Sequence, residues 1–85
     1  MNYFVYILYS KKLNRYYIGA TGDLASRMES HLWMHNGFTS KAKDWELKYS
    51  ETFIQKTEAF TRERQIKKWK SRIMIEKLIA NTQAL

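Results

Sequence analysis

The chain of 85 residues has room for one hydrophobic core, so it reads as a single domain spanning residues 1–85, and a multidomain enzyme is excluded. Hydrophobic residues make up 45% and aromatics 15%, too rich in core-formers for a disordered chain, and the lack of cysteine excludes a disulfide scaffold, a thiolate zinc site and a thiol nucleophile. Fifteen Lys and Arg against eight Asp and Glu leave a net charge of +7, the balance expected of a protein whose partner is a polyanion.

Tyr3 to Ser10 is an unbroken apolar and aromatic run, which reads as a strand covered on both faces. It is too short to span a membrane, and no basic segment or small-residue cleavage site accompanies it, so a soluble, cytoplasmic protein without a membrane partner is the expectation. Lys11 to Asn14 break the pattern, and Arg15 to Ala20 form a second β-prone run, which predicts a hairpin with a loop of about four residues. Thr21, Gly22 and Asp23 then supply a turn and an N-cap for a helix over 24–35, along which Leu24, Met28 and Leu32 repeat at i, i+4 and i+8 until Asn36-Gly37 ends it. After the basic loop from Phe38 to Asp44, the segment from Trp45 to Ile54 sets Trp45, Leu47 and Tyr49 against Glu46, Lys48 and Ser50, the alternation of a half-exposed strand. Thr57 is the N-cap candidate for a basic helix through RERQIKKWK, and RIMIEKLIAN after Ser71 forms the last helix. The order β-β-α-β-α-α predicts an α+β fold, a small antiparallel sheet with helices packed on it.

Candidate chemistry collects at a few positions. Arg27, His31 and His35 lie four apart on the helix and share a face, where Arg27 could clamp a phosphate and His31 could add a donor or a proton-transfer group; the alternative is an ordinary solvated face. The HxxxH spacing lacks the glutamate and third ligand of a zinc site. Glu63 falls in the apolar arc with Ala59, Phe60 and Ile66, where a carboxylate must meet a cation, either an arginine or a divalent metal. No DxD or ExE is present, so at most one metal fits. Tyr6 and Tyr17 stand on the two hairpin arms as amphipathic packing residues or as proton acceptors, a role that requires nearby cations because a tyrosine with an ordinary pKa near 10 is barely ionised at neutral pH. Gly19 and Gly22 read as a sharp strand-to-helix turn in preference to a phosphate loop. Seven basic residues against two acidic ones between Lys56 and Arg72 make the main positive patch.

Taken in order, Val5-Tyr6-Ile7, Tyr17-Ile18-Gly19, Arg27, His31 and Glu63 resemble the signature of the GIY-YIG nuclease superfamily, with eleven positions from Tyr6 to Tyr17 and ten from Tyr17 to Arg27. The chain is most similar to small stand-alone domains like the N-terminal nuclease domain of the excinuclease, including the stretches GFTSK and RERQIKKWK. The first motif reads Phe4-Val5-Tyr6, with a hydrophobe where the family has glycine. The resemblance implies a three-stranded antiparallel sheet flanked by helices, and a DNA endonuclease acting on structured or damaged DNA with Mg²⁺ or Mn²⁺. It makes Tyr6, Tyr17, Arg27 and His31 catalytic and Glu63 the metal ligand. Water would be the nucleophile, with Tyr6, ahead of Tyr17, taking its proton and Arg27 neutralising phosphoryl charge. Asn81 is an insecure counterpart of an asparagine that several members carry. DNA is the expected partner, with a protein partner supplying specificity. The alternatives are a non-catalytic nucleic-acid adaptor on the same fold and a protein- or membrane-binding module built on the basic helices.

Overall fold

The computed structural model describes residues 2–26 and 44–83. Three strands, β1 (Tyr3–Ser10), β2 (Arg15–Thr21) and β3 (Glu46–Phe53), form one antiparallel sheet in the order β2-β1-β3. A helix over Lys56–Trp69 and a C-terminal helix over Arg72–Gln83 follow. Between β2 and β3 a helical turn opens at Leu24, capped by Asp23, whose Oδ1 accepts the Ser26 amide at 3.0 Å. The element order is therefore β-β-α-β-α-α. The rest of the helix expected over 24–35, with Arg27, His31 and His35, lies outside the described residues, as does the GFTSK segment.

The unbroken apolar character of β1 follows from its central place. Val5 and Ile7 point to one face and Tyr6 and Leu8 to the other, and all four are buried. On the first face they meet Tyr49 of β3, Ala59 and Ile66 of the first long helix and Ile75 and Ile79 of the C-terminal helix. On the second, Tyr6 and Leu8 pack with Trp45, with Leu13, Tyr17 and Leu24 at the margin.

The hairpin loop has the four expected residues, Lys11 to Asn14, and Asn14 closes it in the left-handed region at φ 54°. Two sets of side chains hold it. The buried Ser10 donates from Oγ to Asp44 Oδ1 at 2.6 Å and accepts the Leu13 amide, while Lys12 donates its amide to Asp44 Oδ2 at 2.8 Å. These bonds, the Ser10 hydroxyl first, hold the Asp44 carboxyl below its usual range. On the other side Arg72 donates to the Asn14 carbonyl at 3.0 Å and to its Oδ1 at 2.6 Å, lies over the Tyr9 and Tyr16 rings and pairs with Glu76. Burial and then the Glu76 carboxylate raise the Tyr16 pKa.

Three details differ from the sequence reading. First, the register of β1 on β3 steps from Ile7↔Tyr49 to Leu8↔Leu47, so Lys48 sits in a bulge. The bulge reverses the pleat: Tyr49 packs with Val5 and Ile7, Trp45 packs on the opposite face with Tyr6 and Leu8, and Leu47 is left 44% exposed. A single alternating stripe through Trp45, Leu47 and Tyr49 therefore does not exist. Second, the first long helix starts at Lys56, with Gln55 rather than Thr57 as N-cap and no side-chain cap bond. Third, Gly19 is not a turn residue. It lies within β2 directly opposite Tyr6.

Candidate active site

Gly19 explains how Tyr6 is held. A Cβ at position 19 would collide with the ring and hydroxyl oxygen of Tyr6, so the glycine is there to let a full tyrosine lie across the neighbouring strand. Tyr6 is 1% exposed, and its ring centroid is 6.3 Å from that of Tyr17, the diagonal neighbour on β2. Tyr17 in turn meets Trp45 edge-on at 6.4 Å. The two tyrosines expected on separate hairpin arms thus form one aromatic unit, and the bulge at Lys48 delivers Trp45 to complete it.

Tyr17 also lines a cleft of about 780 Å³ along the outer edge of β2, whose other wall is the junction of the two long helices at Lys67, Lys70, Ser71 and Arg72. Lys67 leads from this cleft to Glu63, with its Nζ 2.8 Å from Glu63 Oε2. The Glu63 side chain is only 16% exposed, between the buried Ala59 and Ile66 on the sheet-facing side of the helix. The apolar arc inferred from sequence is correct, and the cation that meets the carboxylate is a lysine four residues on.

The arginine partner expected as the structural alternative for Glu63 belongs to another acid. Arg62, one residue earlier, grips Glu51 of β3 with Nε at 3.1 Å from Oε1 and Nη2 at 3.1 Å from Oε2, and the Tyr49 hydroxyl donates to the same carboxylate. Both side chains are mostly covered, at 27% and 20% exposure, and Arg62 lies over the Trp69 ring. The hydrogen bond that Arg62 donates to Glu51 is the main cause that raises the Arg62 pKa, against burial. Glu51 is absent from the residues singled out by sequence, because it stands among polar neighbours in a strand and not in the apolar arc of a helix. A signal exists nonetheless: continuing the period of two from Tyr49 to Phe53 puts Glu51 between them on the covered face.

Arg27 and His31 lie outside the described residues. Asn81 is exposed on the C-terminal helix. Among the described residues no three of His, Cys, Asp and Glu gather into a cluster that could hold a metal, and no helix is long and apolar enough to cross a membrane.

The GIY-YIG catalytic domain model matches residues 2–78. Among solved structures, the solution NMR structure of a UPF0213 protein of Bacillus halodurans is 31% identical, covers 94% of this chain and 84% of its own, and superposes with a TM-score of 0.59. No match is found among curated proteins.

Proposed function

The chain belongs to the GIY-YIG nuclease family, and from that premise we propose that it is a DNA endonuclease that hydrolyses a phosphodiester bond with a divalent cation, in structured or damaged DNA. The observation that carries this reading is the contact of Tyr6 with Tyr17, which lines the basic cleft beside Lys67, whose ion pair leads to Glu63.

Glu63 fits a single hard cation. Its carboxylate is an oxygen ligand, its Oε2 already meets the positive charge of Lys67, and Mg²⁺ or Mn²⁺ commonly takes one or two carboxylates and completes its shell with phosphate oxygens and water. When bound, such a cation would supply Lewis-acid stabilisation of charge on the phosphoryl and departing oxygens. Of the two tyrosines, Tyr17 is the one that lines the cleft, whereas Tyr6 is buried beside it, so Tyr17 is the better placed to take the proton of the attacking water and Tyr6 to hold its ring. This reverses the order expected from sequence. Arg27 offsets the growing negative charge through its planar fork, and His31 provides a further donor.

The test is a cleavage assay on a panel of branched, flapped and damaged DNA with Mg²⁺ or Mn²⁺, wild type beside Glu63→Gln. Wild type should cut at least one substrate and Glu63→Gln none. Binding without cleavage across the panel would return the adaptor reading, and undiminished cleavage by Glu63→Gln would remove the metal role of Glu63.

A further inference from the structure

The cleft beside Tyr17 holds four basic side chains, Arg15, Lys67, Lys70 and Arg72, and among the described residues no acid lines it. Two of the four are already engaged, Lys67 with Glu63 and Arg72 with Glu76 and Asn14. Arg15 and Lys70 are exposed and have no hydrogen-bond or ion-pair partner among the described residues. Of the apolar residues of the cleft, Ile66 and Ile75 are buried and Ile18 is half-buried, and four cations with no lining acid among the described residues suit an anionic partner.

Lys70 adds a second, independent observation. It ends the first long helix in the left-handed region, at φ 47° and ψ 30°. Glycine is the usual residue there because a Cβ is disfavoured, and a lysine accepts that strain at the lip of the cleft. Strain kept at a place where a smaller residue would relieve it points to a use for the side chain.

We propose that this cleft is a phosphodiester-binding groove in which Arg15 and Lys70 hold the backbone of a DNA strand as it passes Tyr17, flanking the candidate active site. The proposal rests on the nuclease reading for its orientation, but it concerns binding and is tested without cleavage. The groove is open, and about 780 Å³ is within the range of pockets that admit a nucleotide-sized ligand.

The experiment measures binding of a labelled DNA oligonucleotide in EDTA over a range of salt, together with thermal melts, for wild type, Arg15→Gln/Lys70→Gly and a control, Lys11→Gln/Lys77→Gln, which removes the same charge outside the cleft. The cleft variant should bind roughly tenfold more weakly at low salt, with a salt slope shallower by about one to two, as expected for the loss of one or two phosphate contacts. Lys70→Gly alone should melt at or above the wild-type temperature while binding more weakly, so that loss of binding cannot be ascribed to unfolding. Equal weakening in the control would overturn the proposal in favour of diffuse attraction by net charge, and unchanged binding in the cleft variant would overturn it outright. The two readings fail separately: retained groove binding with no cleavage of any substrate removes the nuclease, and cleavage that survives with unaltered binding in the cleft variant removes the groove.

Discussion

On the helix-covered face of the sheet, Val5 and Ile7 meet Ala59, Ile66, Ile75 and Ile79, and the Glu51 carboxylate of β3 is met by Arg62 through three hydrogen bonds. On the opposite face the same strand contributes Tyr6, a large polar aromatic laid against a glycine and set beside Tyr17 and Trp45. Both faces are buried at β1, yet the first is filled mainly with aliphatic side chains around Tyr49 and the second is arranged around the rings of Tyr6, Tyr17 and Trp45. Burial alone therefore does not distinguish packing from chemistry. What distinguishes them here is that the tyrosine face requires a special backbone position, Gly19, and that Tyr17 reaches from it to the lining of the basic cleft at the edge of β2. The contrast is repeated on one helix. Arg62 pairs with Glu51 of β3, and Glu63, its neighbour, pairs with Lys67, which lines the cleft.

The two faces differ most sharply at Gly19. Gly19→Ala places a methyl group where the Tyr6 ring and hydroxyl lie, so it should displace the tyrosine, cost about 1 to 3 kcal/mol as overpacking and abolish cleavage. Gly19→Ala/Tyr6→Phe should recover part of the stability and none of the activity. A Gly19→Ala protein with wild-type melting and cleavage would mean that the face has more room than its geometry allows.

Next in size is the ion pair of the packed face. Glu51→Gln leaves Arg62 without its counter-charge, and with the two side chains 20% and 27% exposed the expected loss is about 1 to 2 kcal/mol, below that of a fully buried pair. For a domain of this size that corresponds to a melting temperature lower by roughly 5 to 15 °C. Cleavage measured well below the melt should persist, because the pair joins β3 to the helix and neither residue lines the cleft at β2.

A smaller effect separates the hairpin loop from both faces. Folding lowers the Asp44 pKa, chiefly through the Ser10 hydroxyl, so the ionised carboxylate is the form that favours the fold. Its contribution is fully present above the ordinary value of 3.8 and is lost as pH falls through that value toward the lower one of the folded state. Melting temperature should therefore decline below about pH 4, and Asp44→Asn should flatten that part of the profile while lowering the plateau at neutral pH. An unchanged acid limb in the variant would place the dependence elsewhere.

Much of the fold is legible in the chain because local pattern determines it: β1 from its uninterrupted apolar run, the four-residue loop from Lys11 to Asn14, the Asp23 cap and the order of elements. The site is legible only as positions. That Tyr6 and Tyr17 form a unit depends on the diagonal register of β1 on β2, and the delivery of Trp45 depends on a bulge at Lys48 that no residue type announces. The glycine at position 19 reads as a turn because a missing side chain looks the same in sequence whether it frees the backbone or makes room for a neighbour. The cleft is invisible in sequence, since Arg15 and Lys70 are 55 positions apart and meet only when the helix junction folds over β2.

The central claim is that Glu63 serves catalysis and not packing, and Glu63→Gln tests it most directly when melting and Mg²⁺-dependent cleavage are measured on the same preparation. Its only ion-pair partner among the described residues is Lys67, a helix pair with a lysine 52% exposed, so the substitution should cost no more than about 0.5 kcal/mol, a shift of roughly 2 to 4 °C, while cleavage disappears. A melting temperature lowered as far as in Glu51→Gln, with cleavage retained by the folded fraction, would contradict the account.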